Sequence, residues 1–259
     1  MTKLYILIAA VCFLYKTVCS TVLPSDIVKC HFGDSPCIIK SINDVIRKYP
    51  KGIPEIGLPP LDATELEDVS VLDSPYRGPI WLTFHMRDNV NKGFNNATVT
   101  HIEGFNRDPT IEPIVIKARI PRLVHEATYD MQGQWLILKA NTTGKLQSDF
   151  QNIHFTLKIK IILEYRNNKR YLKVYELVPV VTLDRWIIWM NDLYKENTDL
   201  TIAVNRSFNK NWVEFWNGVE PGLLKAFSLA FTGILNKVLE NVAYDDMFLP
   251  DFNRTNGSL

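Results

Sequence analysis

The sequence lacks the short motifs that mark the common enzyme classes. It contains no HExxH zinc-protease motif, no GxSxG nucleophile elbow, no P-loop and no GxGxxG dinucleotide fingerprint. The segment Gly-Asp-Ser-Pro at 33–36 is the nearest approach to a serine nucleophile. It lies between two cysteines without an oxyanion-hole context, and is better interpreted as a tight turn. We therefore expect no catalytic residues and no enzymatic activity, lipid hydrolysis included.

Clustered metal ligands are also missing. The histidines at positions 31, 85, 101, 125 and 154 are scattered without the spacing of a metal site. His85 and His125 lie in predicted strands beside Arg87 and Glu126, and we expect such histidines to face solvent or to be satisfied by hydrogen bonds. The sequence predicts no metal and no cofactor.

Charge of either sign is not concentrated anywhere in the chain. The 259 residues carry 29 Lys and Arg against 28 Asp and Glu, a net charge of +1. Loss of Lys3 and Lys16 with an N-terminal signal would leave a charge of about −1. A near-neutral surface argues against nucleic acid as a partner, because phosphate binding requires clustered lysine and arginine.

The N-terminus has the three parts of a secretory signal peptide. A short basic start at 1–3 precedes an apolar run at 4–14, and Val-Cys-Ser at 18–20 offers small residues before a cut near Thr21. With no internal repeat or low-complexity linker beyond it, the chain divides into a signal peptide over 1–20 and a single domain over 21–259. We expect a secreted, extracellular protein.

Cysteine is scarce in the expected mature chain, where only Cys30 and Cys37 remain. A local disulfide is the simplest pairing in an oxidising compartment, whereas a metal pair would need further soft ligands. Burial of its helix face would block one of the five N-x-S/T sequons, Asn205. The sequons, which fit a secreted glycoprotein, are Asn96, Asn141, Asn205, Asn253 and Asn256.

Residues 69–190 form a series of predicted strands without intervening helices. Short strands are expected at 80–87, 97–102, 114–120, 123–129 and 135–140. The clearest strand covers 155–165, because its apolar and polar residues alternate, and a turn at 166–169 returns the chain as a partner strand over 171–181. The lack of crossover helices favours an antiparallel sheet.

The C-terminal segment 199–242 has apolar residues at helical spacing. Pro221 predicts a kink or break, beyond which a second helix runs to about Asn241. The second helix has almost no polar face, so it must be enclosed, and its apolar stretch is about half of the roughly 20 residues that a bilayer span needs. We predict a buried helix wrapped by a curved sheet. The aromatic stripe along it is either ordinary core or the wall of a lipid-filled tunnel.

Several features occur in order along nearly the whole expected mature chain. They are the Cys30/Cys37 pair after a signal peptide, Gly-Ile-Pro-Glu-Ile-Gly-Leu-Pro-Pro-Leu-Asp at 52–62, Ile-Glu-Gly-Phe at 102–105, Phe-Asn-Lys-Asn-Trp at 208–212 and Ala-Tyr-Asp-Asp-Met-Phe at 243–248. In this order they resemble the takeout and juvenile-hormone-binding-protein family of insect secreted carriers. The resemblance implies an α+β fold, in which a long C-terminal helix is wrapped by a strongly curved antiparallel β-sheet enclosing an apolar tunnel. A single cysteine pair places the chain nearer the takeout branch.

The resemblance also implies a function. It is that of a secreted carrier that binds and transports a hydrophobic small molecule, such as a terpenoid, fatty acid or similar lipid, without nucleic acid or stable membrane insertion. The alternative is a secreted glycoprotein with a filled core that acts through its surface on a receptor or partner protein. Tyr129 is the expected polar contact to a ligand. The expected tunnel wall consists of Trp81, Phe84, Tyr129, Trp135, Phe155, Leu157, Ile159, Ile161, Trp212, Phe215, Trp216, Phe227 and Phe231.

Overall fold

The structure, a computed structural model, describes residues 23–73, 80–135 and 138–250, with backbone only for 80, 135 and 138–140. The expected signal peptide and the sequons at Asn253 and Asn256 lie outside the described residues. The α-helices are α1 (Ser35–Lys48), α2 (Thr198–Lys210) and α3 (Trp212–Asn241). The strands are β1 (Thr64–Leu66), β2 (Val69–Asp73), β3 (Ile80–Lys92), β4 (Thr98–Glu103), β5 (Ile114–Trp135), β6 (Leu138–Arg166), β7 (Lys169–Thr182) and β8 (Arg185–Met190).

All eight strands join one antiparallel sheet built around β5 and β6. The other edge of β5 pairs with β3 and β4, and the other edge of β6 pairs with β7 and β8. Strands β1 and β2 complete the sheet on the outer edge of β3. The antiparallel sheet expected from the sequence is therefore confirmed.

Strand β5 is longer than the sequence suggests. The predicted division near Pro121 is wrong, because Ile120 and Arg122 on either side of the proline remain paired with β6. A proline removes only its own N–H from the ladder. The predicted strand 135–140 is also wrong, since Trp135 pairs with Leu138 and its residues divide between β5 and β6.

The predicted long ribbon is present as the β6–β7 hairpin. Arg166 pairs with Lys169 across a two-residue turn, and Asn167 and Asn168 both have positive φ angles, of 50° and 61°. Two consecutive positive φ angles define a type I′ turn, whose twist matches that of the flanking strands. Asparagine tolerates this conformation, so the sequence specifies the register of the hairpin locally.

Helix α3 packs against both β2 and β7, which lie at opposite edges of the sheet. The sheet must therefore curve round the helix. The approach to β2 is close, since a Cβ on Gly222 would collide with the carbonyl oxygen of Val71 and lie 2.9 Å from its carbonyl carbon. A long C-terminal helix held by a curved antiparallel sheet is thus confirmed.

The helix is not broken at Pro221, where the sequence predicts a kink or a break. Helix α3 continues through Pro221, and the break lies instead at Asn211, with φ −112° and ψ 40°. Both the backbone N–H and the side-chain amide of Asn211 donate to the carbonyl of Ser207 at 3.0 Å, which ends α2. A proline removes one helix hydrogen bond, whereas the backbone of Asn211 departs from helical dihedral angles.

The expectation of a fully enclosed helix is also wrong. Trp216 is the one fully buried residue of α3, and Leu229 is 66% exposed. The length and composition of α3 would allow it to cross a bilayer. Its contacts with β2, β7 and β8 place it over the open side of the curved sheet, where one side of the helix meets the sheet and the other meets solvent.

The N-terminal part of the domain packs on the sheet through α1. Cys30 and Cys37 form the expected disulfide, with Cα atoms 5.8 Å apart. The carboxylate of Asp34 caps α1 by accepting from the backbone of Cys37 at 3.2 Å. Ser35 starts the helix and donates its hydroxyl to the carbonyl of Ile102 at 2.9 Å. The 33–36 segment is therefore a helix start and not a nucleophile site.

Candidate functional site

Two cavities lie between the sheet and α3. The first has a volume of about 300 Å³ and the second about 110 Å³. They adjoin, because Met86, His125, Phe150 and Leu223 line both. The walls come from strands β1, β2, β3, β5, β6 and β8 on the sheet side and from α2 and α3 on the other, so the curvature of the sheet creates the space.

The first cavity opens to solvent between α3 and the β1–β2 connection. Its exposed rim carries the carboxylates Glu65, Glu67 and Asp68 and one cation, Lys237. On the helix side, a Cβ placed on Gly233 would meet no atom within 4 Å. The opening is therefore acidic, and it is kept clear by the missing side chain at Gly233.

The second cavity is almost wholly apolar. Aliphatic, aromatic and methionine side chains form its walls, and His125 and Ser148 are its polar lining residues. It includes the rings of Phe84, Phe208 and Phe215. Replacement of water by hydrocarbon at such a surface is thermodynamically favourable.

Four buried polar residues cross the inner face of the sheet in a line, which we call the polar row. Thr64 on β1 is opposite Asn91 on β3, Asn91 is opposite His125 on β5, and His125 is opposite Ser148 on β6. Their exposed fractions are 1%, 2%, 8% and 2%. Directly opposite residues project from the same face, so the four side chains are neighbours. The row reaches the boundary between the cavities.

The protonation of His125 follows from its surroundings. Asn89 donates its amide nitrogen to the carbonyls of Glu67 and Met86 at 3.0 and 3.1 Å, which orients its Oδ1 toward His125 Nε2 at 3.0 Å. Nε2 must then carry the proton. Burial lowers the pKa of His125 from 6.5 to about 4, so at neutral pH the ring is uncharged and Nδ1 is a hydrogen-bond acceptor.

One member of the polar row is already paired, and the other three have unused hydrogen-bonding capacity. Thr64 is the paired member, since it donates its hydroxyl to the carbonyl of Pro60 at 2.6 Å. Within the part of the chain that the structure describes, the Asn91 amide, His125 Nδ1 and the Ser148 hydroxyl have no protein partner. Asn91 lines the first cavity, Ser148 lines the second, and His125 lines both.

Part of the sequence-predicted wall lies at these cavities. Phe84 and Phe215 line the second cavity and Phe227 lines the first. Phe155 and Phe231 pack beside them, with ring centroids 6.1 Å apart.

Other predicted wall residues lie in neighbouring parts of the core. Trp216 is enclosed by Phe150 and Trp186 at 6.2 and 5.8 Å, and Trp212 lies under the Arg185 guanidinium at 5.7 Å. Strand alternation places Trp81 on the face of β3 opposite Leu82, which lines the second cavity. The side chain of Trp135 lies outside the described residues. The cluster under α1 contains Ile159 and Ile161, with Leu157 packed against its edge.

Tyr129, the expected polar contact, lies in the core and lines neither cavity. It is fully buried and stacks on Phe84 at 5.7 Å, and its hydroxyl donates to the carbonyl of Asn191 at 2.5 Å. Burial raises its pKa to about 12. The hydroxyl is therefore already used by the protein.

The polar row is not among the features predicted from the sequence. Of the two expectations for His125, exposure to solvent or satisfaction by a hydrogen bond, the structure shows the second, because the ring is buried and its Nε2 bonds Asn89. The period-two pattern of the strand predicts that His125 faces inward. It lies on the same face as Leu123, Ala127 and Tyr129, all of which are buried. The position of Asn91 could not be found in this way, because the bulge that includes Asp88, at φ 54°, shifts the alternation of β3.

The predicted glycosylation sites differ in accessibility. Asn96 and Asn141 are exposed. Asn205 is fully buried, and its amide nitrogen donates to the carbonyls of Met190 and Thr201 at 2.7 and 2.9 Å. The folded structure therefore has no room for a glycan on Asn205.

Comparisons with known proteins agree with this architecture. Over residues 6–249 the sequence matches the family described as Haemolymph juvenile hormone binding protein (JHBP). The circadian clock-controlled protein daywake of Drosophila yakuba is 23% identical over 253 residues, covering 93% of this chain and 97% of that protein. Its Drosophila melanogaster counterpart is 23% identical over 229 residues, with coverages of 87% and 88%.

A solved structure shows the same fold. The crystal structure of Epiphyas postvittana Takeout 1 matches with a TM-score of 0.69 at 19% identity, covering 84% of this chain and 97% of that one. The family match extends over nearly the whole sequence. The chain therefore belongs to the haemolymph juvenile hormone binding protein family.

Proposed function

We propose that this protein is a non-enzymatic carrier that holds a hydrophobic small molecule in the two adjoining cavities. The observation that carries the proposal is the unfilled apolar second cavity next to an opening beside Gly233. Protein cores are normally packed to the density of organic crystals. Space of this kind behind an open rim is therefore better explained by a ligand than by ordinary packing.

Family membership supports the same function. The family takes its name from a haemolymph protein that binds juvenile hormone, a hydrophobic ligand. A terpenoid, fatty acid or similar lipid would suit the apolar walls. We propose in addition that residues 1–20 direct secretion and that residues 21–259 form one carrier domain in an extracellular fluid.

The binding energy would come from removal of the ligand from water. Burial of about 300 Å² of apolar ligand surface at about 25 cal/mol/Å² is worth about 7 kcal/mol before ordering costs. Burial alone therefore supports a Kd no tighter than roughly micromolar. Tighter binding requires polar contacts as well.

A pair of glycine variants tests the carrier function. Gly233 lines the first cavity, whereas Gly218, on the same helix and with equally free space, lines neither cavity. Gly233→Trp should block the opening and weaken binding of the fluorescent probe N-phenyl-1-naphthylamine at least tenfold, while Gly218→Trp should bind it normally. Circular dichroism would confirm that both variants fold.

The opposite results would contradict separate parts of the proposal. Undiminished binding by Gly233→Trp would show that this opening is not the route to the ligand site. A native protein that binds neither the probe nor a panel of terpenoids and fatty acids, and whose organic extract is empty by mass spectrometry, would instead favour a surface-acting glycoprotein with no ligand.

A further inference from the structure

The polar row is an unusual feature in an interior that otherwise suits hydrocarbon. Asn91, His125 and Ser148 are each more than nine-tenths buried and turn toward the cavities. A buried polar group without a partner destabilises a protein, so such groups are normally paired. Three unpaired groups side by side at the junction of two cavities indicate a polar partner that binds there.

The chemistry of the row restricts that partner. His125 Nδ1 can only accept a hydrogen bond, because Nε2 holds the proton that it shares with Asn89. Asn91 and Ser148 can each donate or accept. A hydroxyl group fits all three, since it can donate to Nδ1 and accept from the Asn91 amide or the Ser148 hydroxyl. An ether or ester oxygen has no hydrogen to donate and would leave Nδ1 unpaired.

A carboxylate fits poorly for two reasons. At neutral pH it has no proton for His125 Nδ1, and the lone pair of the uncharged ring would face its negative charge. The rim of the first cavity also repels a carboxylate. Its acidic residues Glu65, Glu67 and Asp68 outnumber its one exposed cation, Lys237. A buried anion without a paired cation is strongly disfavoured.

We propose that the polar row selects a neutral ligand with a hydroxyl group, such as a long-chain or isoprenoid alcohol, over the corresponding fatty acid. This inference rests on the proposed carrier function and specifies the ligand class of the same site. The hydrocarbon part of the ligand contacts the apolar walls, and the hydroxyl group lies at the junction beside His125.

Three ligands with the same twelve-carbon chain test this selectivity. Dodecan-1-ol, dodecyl methyl ether and dodecanoate would each displace N-phenyl-1-naphthylamine from the native protein at pH 7.5. We expect the alcohol to bind about fivefold to tenfold more tightly than the ether, which lacks only the donor, and the dodecanoate to bind more weakly than the alcohol by at least tenfold.

Two variants test whether residues of the polar row cause the preference for the alcohol. His125→Phe keeps a ring of similar size but removes the acceptor, and should abolish the preference for alcohol over ether. His154→Phe is the matched control, because His154 is exposed on β6 and lines neither cavity. Ser148→Ala removes a hydroxyl without adding bulk and should lower the affinity for alcohol about threefold, which tests the row even if His125→Phe does not fold.

The outcomes separate the two proposals. Dodecanoate binding as tightly as the alcohol, an unchanged alcohol-to-ether ratio in a folded His125→Phe protein, or an unchanged affinity for the alcohol in Ser148→Ala would overturn the selectivity. Equal weakening of all three ligands by His125→Phe would assign the row to ordered water and would also overturn the selectivity. Failure of the native protein to bind the fluorescent probe or any of the three ligands would refute the carrier function itself.

Discussion

Asn205 of α2 and Met190 of β8 are joined by a pair of hydrogen bonds between a side-chain amide and the backbone. Asn205 Oδ1 accepts from Met190 N at 2.8 Å, and Nδ2 donates to Met190 O at 2.7 Å. One turn later Asn209 makes the same pair with Ile188, at 2.9 and 2.7 Å. Four helical residues rise about 6 Å and two strand residues about 6.6 Å, so the two spacings match.

The same arrangement holds the other helices to the sheet. Asn236 of α3 bonds both backbone groups of Val174 on β7 at 2.8 and 3.1 Å. Asn43 of α1 bonds both groups of Val99 on β4 at 2.8 and 2.9 Å. An edge strand exposes unpaired N–H and C=O groups that invite association with other chains. In this fold, asparagines on the helices satisfy such groups.

Asn205→Ala should therefore be strongly destabilising. It leaves the N–H and C=O of Met190 unpaired in a buried place, and each lost partner costs about 1–3 kcal/mol. We expect the free energy of unfolding in urea to fall by about 3 kcal/mol. Asn217→Ala is the control, since Asn217 is exposed on α3 and should show little change. Equal stability of the two variants would contradict a structural role for the Asn205 amide.

The glycan pattern of protein produced through the secretory pathway should reflect this burial. We expect peptide mass spectrometry to find glycans at Asn96 and Asn141, which are exposed, and none at Asn205. A glycan on Asn205 could not coexist with its hydrogen bonds to Met190. Detection of that glycan in protein that retains the native circular dichroism spectrum would show that the α2–β8 contact is wrong.

The features that could be predicted from the sequence are those specified locally. Alternation over 155–165 and the Asn-Asn pair at 167–168 determine the β6–β7 hairpin without reference to the rest of the chain. The degree of burial of α3 could not be predicted in this way. An apolar helix must find a partner, but its composition does not tell whether that partner surrounds it or covers one side, as the exposure of Leu229 shows.

The polar row could not be predicted because no single segment contains it. Thr64, Asn91, His125 and Ser148 come from four strands, and they meet only through the registers of three strand pairs. A one-residue change in any of those registers would turn the next side chain to the other face. Sequence patterns constrain which residues face inward, but they do not determine which of them become neighbours.

The burial of His125 predicts a dependence of stability on acid pH. Its pKa is about 4 in the folded protein, lowered by burial, against about 6.5 when unfolded. Between these values the unfolded chain binds a proton that the folded protein does not, so the free energy of unfolding falls as the pH falls. Acidification from pH 7 to 4 should remove about 3 kcal/mol through this residue.

Urea titrations across this pH range would measure that contribution. His125→Phe should lose the corresponding part of the pH dependence, whereas His154→Phe, at an exposed position, should retain it. Parallel pH profiles for the native protein and His125→Phe would show that His125 is accessible to protons in the folded state.

The contact between α3 and β2 can be tested with two glycines on one helix. Gly222→Ala places a Cβ against the backbone of Val71, which cannot rotate away as a side chain could, so the helix must move off the strand. Overpacking of this kind costs about 1–3 kcal/mol.

Gly218→Ala, where the added Cβ meets nothing within 4 Å, should instead stabilise the protein by up to about 1 kcal/mol through helix propensity. The urea concentration at the midpoint of unfolding would then fall for Gly222→Ala and rise for Gly218→Ala, although the chemical change is the same. Because α3 bridges β2 and β7, displacement from β2 should also disturb the cavities, and Gly222→Ala should bind the fluorescent probe more weakly than Gly218→Ala. Equal stability and equal binding would mean that the sheet does not close against this helix.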